Sequence, residues 1–350
     1  MENNKYNFLL LATVCMQTLL YAGSVKAQST GNVLHDTAFY EDYPEMVTTR
    51  FYFSQKYTAF TLQAPDDEKD LQYRPNTTLN MGVGATYRNF SLNLAYGFGF
   101  INQDKEKGKT KYLDLQGHFY PKGWSLDWVG QLYKGYYLHP KGYAAGSTAD
   151  YYQRPDVRVN LFGIAAYRIM KNKKFSYRAA VIQNEWQKKS AGSLLLGGEI
   201  YYGINKADSS FVPGSIANEY PQAGINNVQF FSFGPGIGYA YTLVVQQHFF
   251  VTGSLSLNAN LSFSTETGTL GKSNKTALNA ATFFRLAAGY NSSTWNLSAN
   301  WVGNKLPVRG ASSANNYLLQ TGNYRIIIAK KIMPGPRLKK RLKPLDKILG

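Results

Sequence analysis

Hydrophobic and polar residues alternate one by one along much of this chain. Over residues 79–87 every second residue is apolar and those between are small or polar, and the alternation resumes over 90–100 after a tight turn. The pattern is clearest over 251–263. Successive side chains of a strand point to opposite faces, whereas a helix repeats every three to four residues. The pattern therefore predicts an all-β chain.

Three features favour a membrane barrel over a secreted β-sandwich, which is the alternative for an alternating chain. The segments run for about 10–14 residues, where strands of globular proteins average five or six. Their polar face is built of Ser, Asn, Gly and Thr, which is typical of a lumen. Aromatic residues such as Tyr87, Trp124, Phe249 and Trp295 stand at segment ends, as in the girdles of membrane barrels. A sheet in lipid must also close on itself. We expect a transmembrane antiparallel β-barrel of outer-membrane type with 12–14 strands.

The connections between the segments alternate between short and long. Short turns at 88–89, 121–123, 171–174, 246–247 and 291–294 are expected on the periplasmic side, and longer polar stretches at 101–110, 139–154, 264–275 and 303–316 outside. One long stretch, 206–225, falls where a short turn is expected. Either a strand lies within that stretch or one of the thirteen candidate strands is a loop.

Composition narrows the class of protein further. The chain has 350 residues, of which 17% are charged and 15% aromatic, with a net charge of +17 and a mean hydropathy of −0.32. This apolar content excludes disorder. After the N-terminus no run approaches the ~20 apolar residues of a membrane helix, which excludes a polytopic helical membrane protein.

The N-terminus has the layout of a secretory signal peptide over 1–27. Lys5 precedes an apolar stretch at 8–23, and small or apolar residues lead to cleavage after Ala27. An uncleaved anchor helix is the alternative. Cys15 is the chain's one cysteine, so the processed protein would have neither disulfides nor thiolate metal sites. We expect a polar periplasmic lead-in at 28–45, a barrel at 46–332 and a basic tail at 333–350, in the bacterial outer membrane.

Nine ionisable residues occupy positions that the alternation assigns to the lumen. They are Asp114, His118, Asp127, Arg158, Arg168, Arg178, Glu199, Arg285 and Arg325. One interpretation is a charged constriction or lumenal binding site, where the excess of arginine favours anions. The other is a network of ion pairs that fills a narrow barrel, where a buried charge needs a partner.

His118 is the most specific single candidate. The tight turn at 121–123 would place it opposite Asp127 or one pair diagonal to it, and a carboxylate that orients an imidazole is half of a general-base device. The sequence shows no nucleophile motif beside this pair, so we interpret it as structural and do not expect an enzyme. The four histidines, His35, His118, His139 and His248, lack the spacing of a metal site. No catalytic residue, cofactor or metal ligand is predicted.

The C-terminal segment is strongly basic. From 330 to the end there is one acid, Asp346, and eight basic residues, namely Lys330, Lys331, Arg337, Lys339, Lys340, Arg341, Lys343 and Lys347. Prolines 334, 336 and 344 predict a poor helix. In the periplasm these residues could contact lipid phosphates, the anionic cell wall or an acidic protein, or form a plain solvated tail. Nucleic acid is not an expected partner, because a signal peptide removes the chain from it.

Four short motifs support a resemblance to a known family. They are Tyr-Arg-Pro-Asn at 73–76, Lys-Thr-Lys-Tyr-Leu-Asp-Leu-Gln at 109–116, Tyr-Lys-Gly-Tyr-Tyr at 133–137 and Lys-Lys-Ser-Ala-Gly-Ser at 188–193. Over roughly 70–330 the chain resembles an uncharacterised family of Bacteroidota outer-membrane barrel proteins that carry a domain of unknown function. The resemblance implies an outer-membrane barrel and assigns no activity or residue role. Many such barrels end on an aromatic residue read by the insertion machinery, whereas this chain continues to Gly350.

Three functions are therefore open at this point. The leading one is passage of small polar or anionic solutes, and the second is a sealed barrel that serves as a scaffold or partner-docking protein of the cell envelope. The third is a lumenal enzyme around His118 and Asp127. In each case the expected partners are outer-membrane lipid and the barrel insertion machinery, with an anionic periplasmic partner on the basic tail.

Overall fold

The computed structural model describes residues 35–65, 68–88, 90–97, 104–121, 123–311 and 315–349. The predicted signal peptide and the first part of the lead-in lie outside these residues. The strands are β1 (Tyr40–Asp42), β2 (Val47–Leu62), β3 (Leu71–Arg74), β4 (Asn80–Tyr87), β5 (Phe90–Gly97), β6 (Lys111–Phe119), β7 (Trp124–His139), β8 (Gln153–Ile169), β9 (Glu185–Gln187), β10 (Ala191–Lys206), β11 (Ile225–Val245), β12 (Phe249–Gly268), β13 (Gly271–Asn291), β14 (Trp295–Arg309) and β15 (Asn316–Ile332). The helices are α1 (Tyr177–Val181) and α2 (Pro336–Leu349), with 3₁₀ turns at Lys105–Lys107 and Gly214–Glu219.

The sheet closes where the last strand meets an early one. β15 pairs antiparallel with β2 along its whole length, from Tyr317 opposite Leu62 to Ile332 opposite Val47. The closed ring contains ten strands, in the order β2, β3, β7, β8, β10, β11, β12, β13, β14 and β15. The predicted antiparallel barrel is confirmed, but the ring has ten strands where 12–14 are expected, because β4, β5 and β6 belong to the sheet and not to the closed ring.

Three further strands bring the sheet to thirteen. β4 pairs with the first half of β2 and carries β5 on its other side, while β6 pairs with β7. β3, only four residues long, joins β2 to β7 near the opposite end of the ring. We call the end of the barrel where β2 begins the turn end and the other the loop end.

The wall of the barrel is apolar outside and polar inside. On β12, Ser256, Asn258 and Asn260 are buried within the ring, whereas the intervening Leu255 and Leu257 are about half exposed. A soluble protein would place these leucines inside. Because the outward band is apolar and every strand of the ring is paired, the barrel is built to span a membrane.

The lumen at the loop end is filled by an apolar core. Strand residues such as Phe60 and Tyr317 pack there with Phe211 and Tyr220, which come from the loop at 207–224. The loop is held by hydrogen bonds from the Tyr73 hydroxyl to the Phe211 carbonyl and from the Tyr220 hydroxyl to the Lys69 carbonyl. We call 207–224 the upper plug.

A second segment fills the turn end. Residues 175–187, the lower plug, contain α1 and β9 and bury Phe175 and Tyr177, and β1 of the lead-in pairs with β9. The alternation assigns Arg178 in this region to a lumenal position of a wall strand, which is wrong. Since 175–187 is a plug, β10 runs toward the loop end and 207–224 is an outward loop, which resolves the irregularity at 206–225.

Two other expectations are corrected. The loop expected at 264–275 is wrong, because β12 and β13 continue as a paired hairpin to Gly268 opposite Gly271. The expectation of a poor helix in the tail is also wrong. Pro336 is the first residue of α2, where a missing N–H costs no hydrogen bond, and Pro344 lies inside the helix. Residues from Pro334 onward belong to a different unit of the chain from His35–Met333. No helix in the described ranges has the length and hydropathy needed to cross a membrane.

Candidate functional site

Two buried charges of the lumen, Asp127 on β7 and Arg285 on β13, meet in one cluster. His118 Nδ1 donates to Asp127 Oδ1 across the β6–β7 hairpin (2.5 Å), and the Ser125 hydroxyl donates to Oδ2 (3.2 Å). The predicted His118–Asp127 pairing is confirmed, since the two residues are direct register partners. Arg285 completes the cluster through an ion pair with Oδ2. Asp127 thus accepts from three donors on two sides of the lumen.

Arg285 connects this cluster to the lower plug. The guanidinium lies 4.3 Å from the centre of the Phe283 ring and 5.2 Å from that of Tyr177 on α1. A cation over an aromatic face is attracted by the ring quadrupole, most strongly where water is excluded. Asp127, Arg285 and the plug are therefore held as one unit.

A second cluster surrounds Asp114 on β6. Lys56 Nζ lies 3.1 Å from Oδ1, while the Gln131 amide (2.9 Å) and the Tyr133 hydroxyl (2.6 Å) donate to Oδ2. Glu199 on β10 is buried as well and accepts from Asn260 Nδ2 at 2.7 Å. The carboxylates that we predicted in the lumen are therefore engaged by neighbouring strands.

Two lumenal arginines have no carboxylate partner among the described residues. Arg50 on β2 donates to Ser91 (2.9 Å), Asn93 (3.0 Å) and the Ile182 carbonyl (2.8 Å). Arg325 on β15 lies 4.8 Å from the centre of the Tyr52 ring. Arg50 also donates to the Thr86 hydroxyl, so that among its donors only Nε has no partner, and Nε of Arg325 has none either.

His118 and Asp127 do not form a complete catalytic device within the described residues. The Ser125 hydroxyl donates to Asp127 and not to His118, and no other hydroxyl or thiol there is hydrogen-bonded to His118. A general base needs a reacting proton within hydrogen-bond reach. Among the described residues no group of three or more His, Cys, Asp or Glu could hold a metal ion.

A protein-family model matches residues 35–329 of the chain. The chain belongs to the DUF4421 family, a domain of unknown function. No curated protein matches it. Among solved structures, the outer-membrane protease OmpT of Escherichia coli is 9% identical, with 83% of this chain and 98% of that chain covered and a TM-score of 0.39. OmpT of Vibrio cholerae is also similar, at 9% identity, with 83% of this chain and 99% of that chain covered and a TM-score of 0.28. The Pseudomonas putida toluene transporter TodX is 6% identical, with 83% of this chain and 90% of that chain covered and a TM-score of 0.27.

Three predicted lumenal residues of the DUF4421 chain lie elsewhere. Arg158 and Arg168 are exposed on the outer face of β8, because its other face, with Val157, Val159 and Leu161, packs into the apolar core. Arg178 lies on α1 and pairs with Glu185. The alternation separates the two faces of a strand correctly, but it does not say which face is inside when a plug makes the lumen apolar.

The predicted basic residues of the tail and the predicted cations of the lumen each need one correction in the DUF4421 chain. Lys331 lies inside the barrel, where it is 4% exposed and donates to Asn291 (3.1 Å), so it does not belong to the accessible tail. Sequence analysis missed Arg50 and Lys56 as lumenal cations. The alternation along β2 could have identified them, because Arg50 and Lys56 lie at alternate positions with Tyr52 and Ser54 and so on the same face of the strand.

Proposed function

We propose that the protein is a sealed barrel of the outer membrane that serves as a scaffold or partner-docking protein of the cell envelope. The observation that carries the proposal is the filled lumen. The upper plug packs Phe211 and Tyr220 into an apolar core at one end, and the lower plug packs Tyr177 against Arg285 at the other. A barrel filled in this way acts through its ends.

The loops at the loop end are joined by hydrogen bonds and ion pairs, as expected of a preorganised docking surface. The Tyr143 and Tyr220 hydroxyls are hydrogen-bonded at 2.5 Å and so join two loops, and Lys141 pairs with Glu106 at 2.6 Å. Arg154 fixes the upper plug by donating to the Ser210 carbonyl at 2.8 Å. A surface that is ordered before binding loses less conformational entropy when a partner binds.

The basic tail is a second docking element. Lys330, Arg337, Lys339, Lys340, Arg341, Lys343 and Lys347 fit an anionic periplasmic partner, either lipid phosphate or an acidic protein surface. Leu338 is exposed on α2 among these charges, so the tail offers apolar contact as well.

Passage of a small polar or anionic solute is the second candidate function. It is favoured by Arg50 and Arg325, which face the lumen without a carboxylate partner. An axial path of this kind requires both plugs to move, and the Asp127–Arg285 pair would have to open.

Two experiments separate these functions. Liposomes that contain the protein should swell in isosmotic solutions of small anions no faster than empty liposomes, whereas a pore would give rapid, size-dependent swelling. A photoreactive residue at Ala149, exposed at the loop end, should give discrete cross-linked proteins in whole cells. The same residue at the lipid-facing Leu257 is the matched control. Rapid swelling together with equal cross-linking at both positions would refute the proposal.

A further inference from the structure

Four basic residues form one continuous row across four neighbouring strands. Lys111 on β6 is the register partner of Lys134 on β7, which is the partner of Arg158 on β8, which is the partner of Lys206 on β10. All four are exposed on the outer wall. We call them the basic row.

The basic row has no negative partner among the residues that the structure describes. None of the four residues forms an ion pair with a carboxylate in the described part of the chain. Directly opposed cross-strand residues lie about 5 Å apart, and like charges at that distance destabilise a sheet. The row therefore needs anions from outside the protein to offset this repulsion.

The level of the basic row along the barrel indicates where those anions lie. Arg158 is ten residues from Arg168, which lies 5.6 Å from the centre of the Trp124 ring at the turn end. Ten residues at ~3.3 Å each, tilted by ~40°, span ~25 Å, the height of the apolar band of a membrane barrel. Arg158 and Arg168 thus mark the two membrane interfaces, with the basic row at the outer one.

The wall below the row is largely apolar. Leu113 on β6, Ile164 on β8 and Ile200 on β10 are 52%, 52% and 54% exposed and face the same side as the row. A ligand that matches both the basic row and the apolar wall carries negative charge at the level of the row and hydrocarbon below it. The strands lie ~4.8 Å apart, so the row spans ~14 Å, enough for a headgroup with one or more phosphates.

We infer that the basic row is a binding site for a phosphorylated lipid headgroup of the outer leaflet. Phosphate oxygens accept charge-assisted hydrogen bonds from Lys111, Lys134, Arg158 and Lys206, and the acyl chains pack on the apolar wall below. The site lies on the outer wall and does not depend on whether the lumen is open or sealed.

Native mass spectrometry of the intact protein, released from vesicles of equal diacyl phosphatidate and diacyl phosphatidylcholine, tests this inference. Each basic residue near a membrane surface changes anionic-lipid affinity by about fivefold, so Lys134→Gln with Arg158→Gln should weaken phosphatidate binding by about 25-fold. The matched control is Lys305→Gln with Arg309→Gln, two exposed cations on β14 across the ring. The control should retain the preference of the unaltered protein for phosphatidate.

Three results would overturn the inference. They are equal binding of the two lipids, an equal loss in the control variant, and displacement of phosphatidate by an equal concentration of inorganic phosphate, which would indicate a soluble-anion site. A heat-modifiability gel checks that each variant is folded. If the double variant does not fold, Lys206→Gln alone should weaken binding about fivefold. Higher salt should also reduce the lipid preference of the unaltered protein.

Discussion

Asp127 and Arg285 lie on strands five steps apart around the ten-stranded ring, and their side chains form an ion pair across the lumen. The two residues are 5% and 3% exposed. A buried charge is tolerated when its partner is present and strongly unfavourable without it. The pair therefore ties opposite walls together and closes the middle of the barrel.

Removing either partner should destabilise the barrel more than removing both. We expect Asp127→Asn or Arg285→Met to lower the free energy of unfolding by about 3–5 kcal/mol, because each leaves an uncompensated buried charge. The double variant should recover much of that loss. Urea unfolding in micelles measures the free energy of unfolding of the unaltered protein, of each single variant and of the double variant. If the losses of the two single variants add up in the double variant, the two side chains do not interact.

His118 should matter less than Asp127 to stability. His118→Ala removes one charge-assisted hydrogen bond, for which we expect a loss of about 1.5–3 kcal/mol. Asp127 keeps Arg285 and Ser125 as partners in this variant. The same urea titration measures the loss, and a loss as large as that of Asp127→Asn would contradict this assignment.

The attachment of the lead-in should depend on pH through Glu41. Lys188 Nζ lies 2.7 Å from the Glu41 carboxylate and donates a hydrogen bond to it, which holds the pKa of Glu41 below its ordinary value. A lowered folded pKa means that the stabilisation is complete above the ordinary pKa and is lost as pH falls through the lowered value.

Amide hydrogen exchange at β1, corrected for its intrinsic pH dependence, should thus accelerate on acidification. Glu41→Gln should show fast exchange already at neutral pH, with little further change on acidification. Identical profiles for this variant and the unaltered protein would show that the ion pair does not attach the lead-in.

The tail helix should lie with one face in apolar surroundings on an anionic membrane. With Cys15→Ser in the background, a polarity-sensitive fluorophore on Leu338→Cys should shift to the blue in anionic vesicles and less in zwitterionic ones. Lys340→Cys, among the basic residues of α2, is the matched control. Equal spectra at the two positions would contradict an oriented helix.

Local patterns in the sequence are sufficient to predict the strands of the barrel wall and one contact between lumenal side chains. The alternation predicts the strands because it reports a local geometry, and the tight turn before β7 places His118 opposite Asp127. The Asp127–Arg285 pair depends on ring closure, which brings together residues far apart in the chain. The inside of β8 depends on what fills the lumen, so the alternation alone assigns Arg158 and Arg168 to the wrong face.

Single-channel conductance of the protein in a planar bilayer tests the sealed lumen most directly. The account predicts a folded, heat-modifiable barrel that inserts and gives no discrete conductance steps. Frequent open steps with a preference for anions, reduced in Arg285→Met or Arg325→Gln and unchanged in the outer-wall variant Arg168→Gln, would contradict it and establish an axial pore.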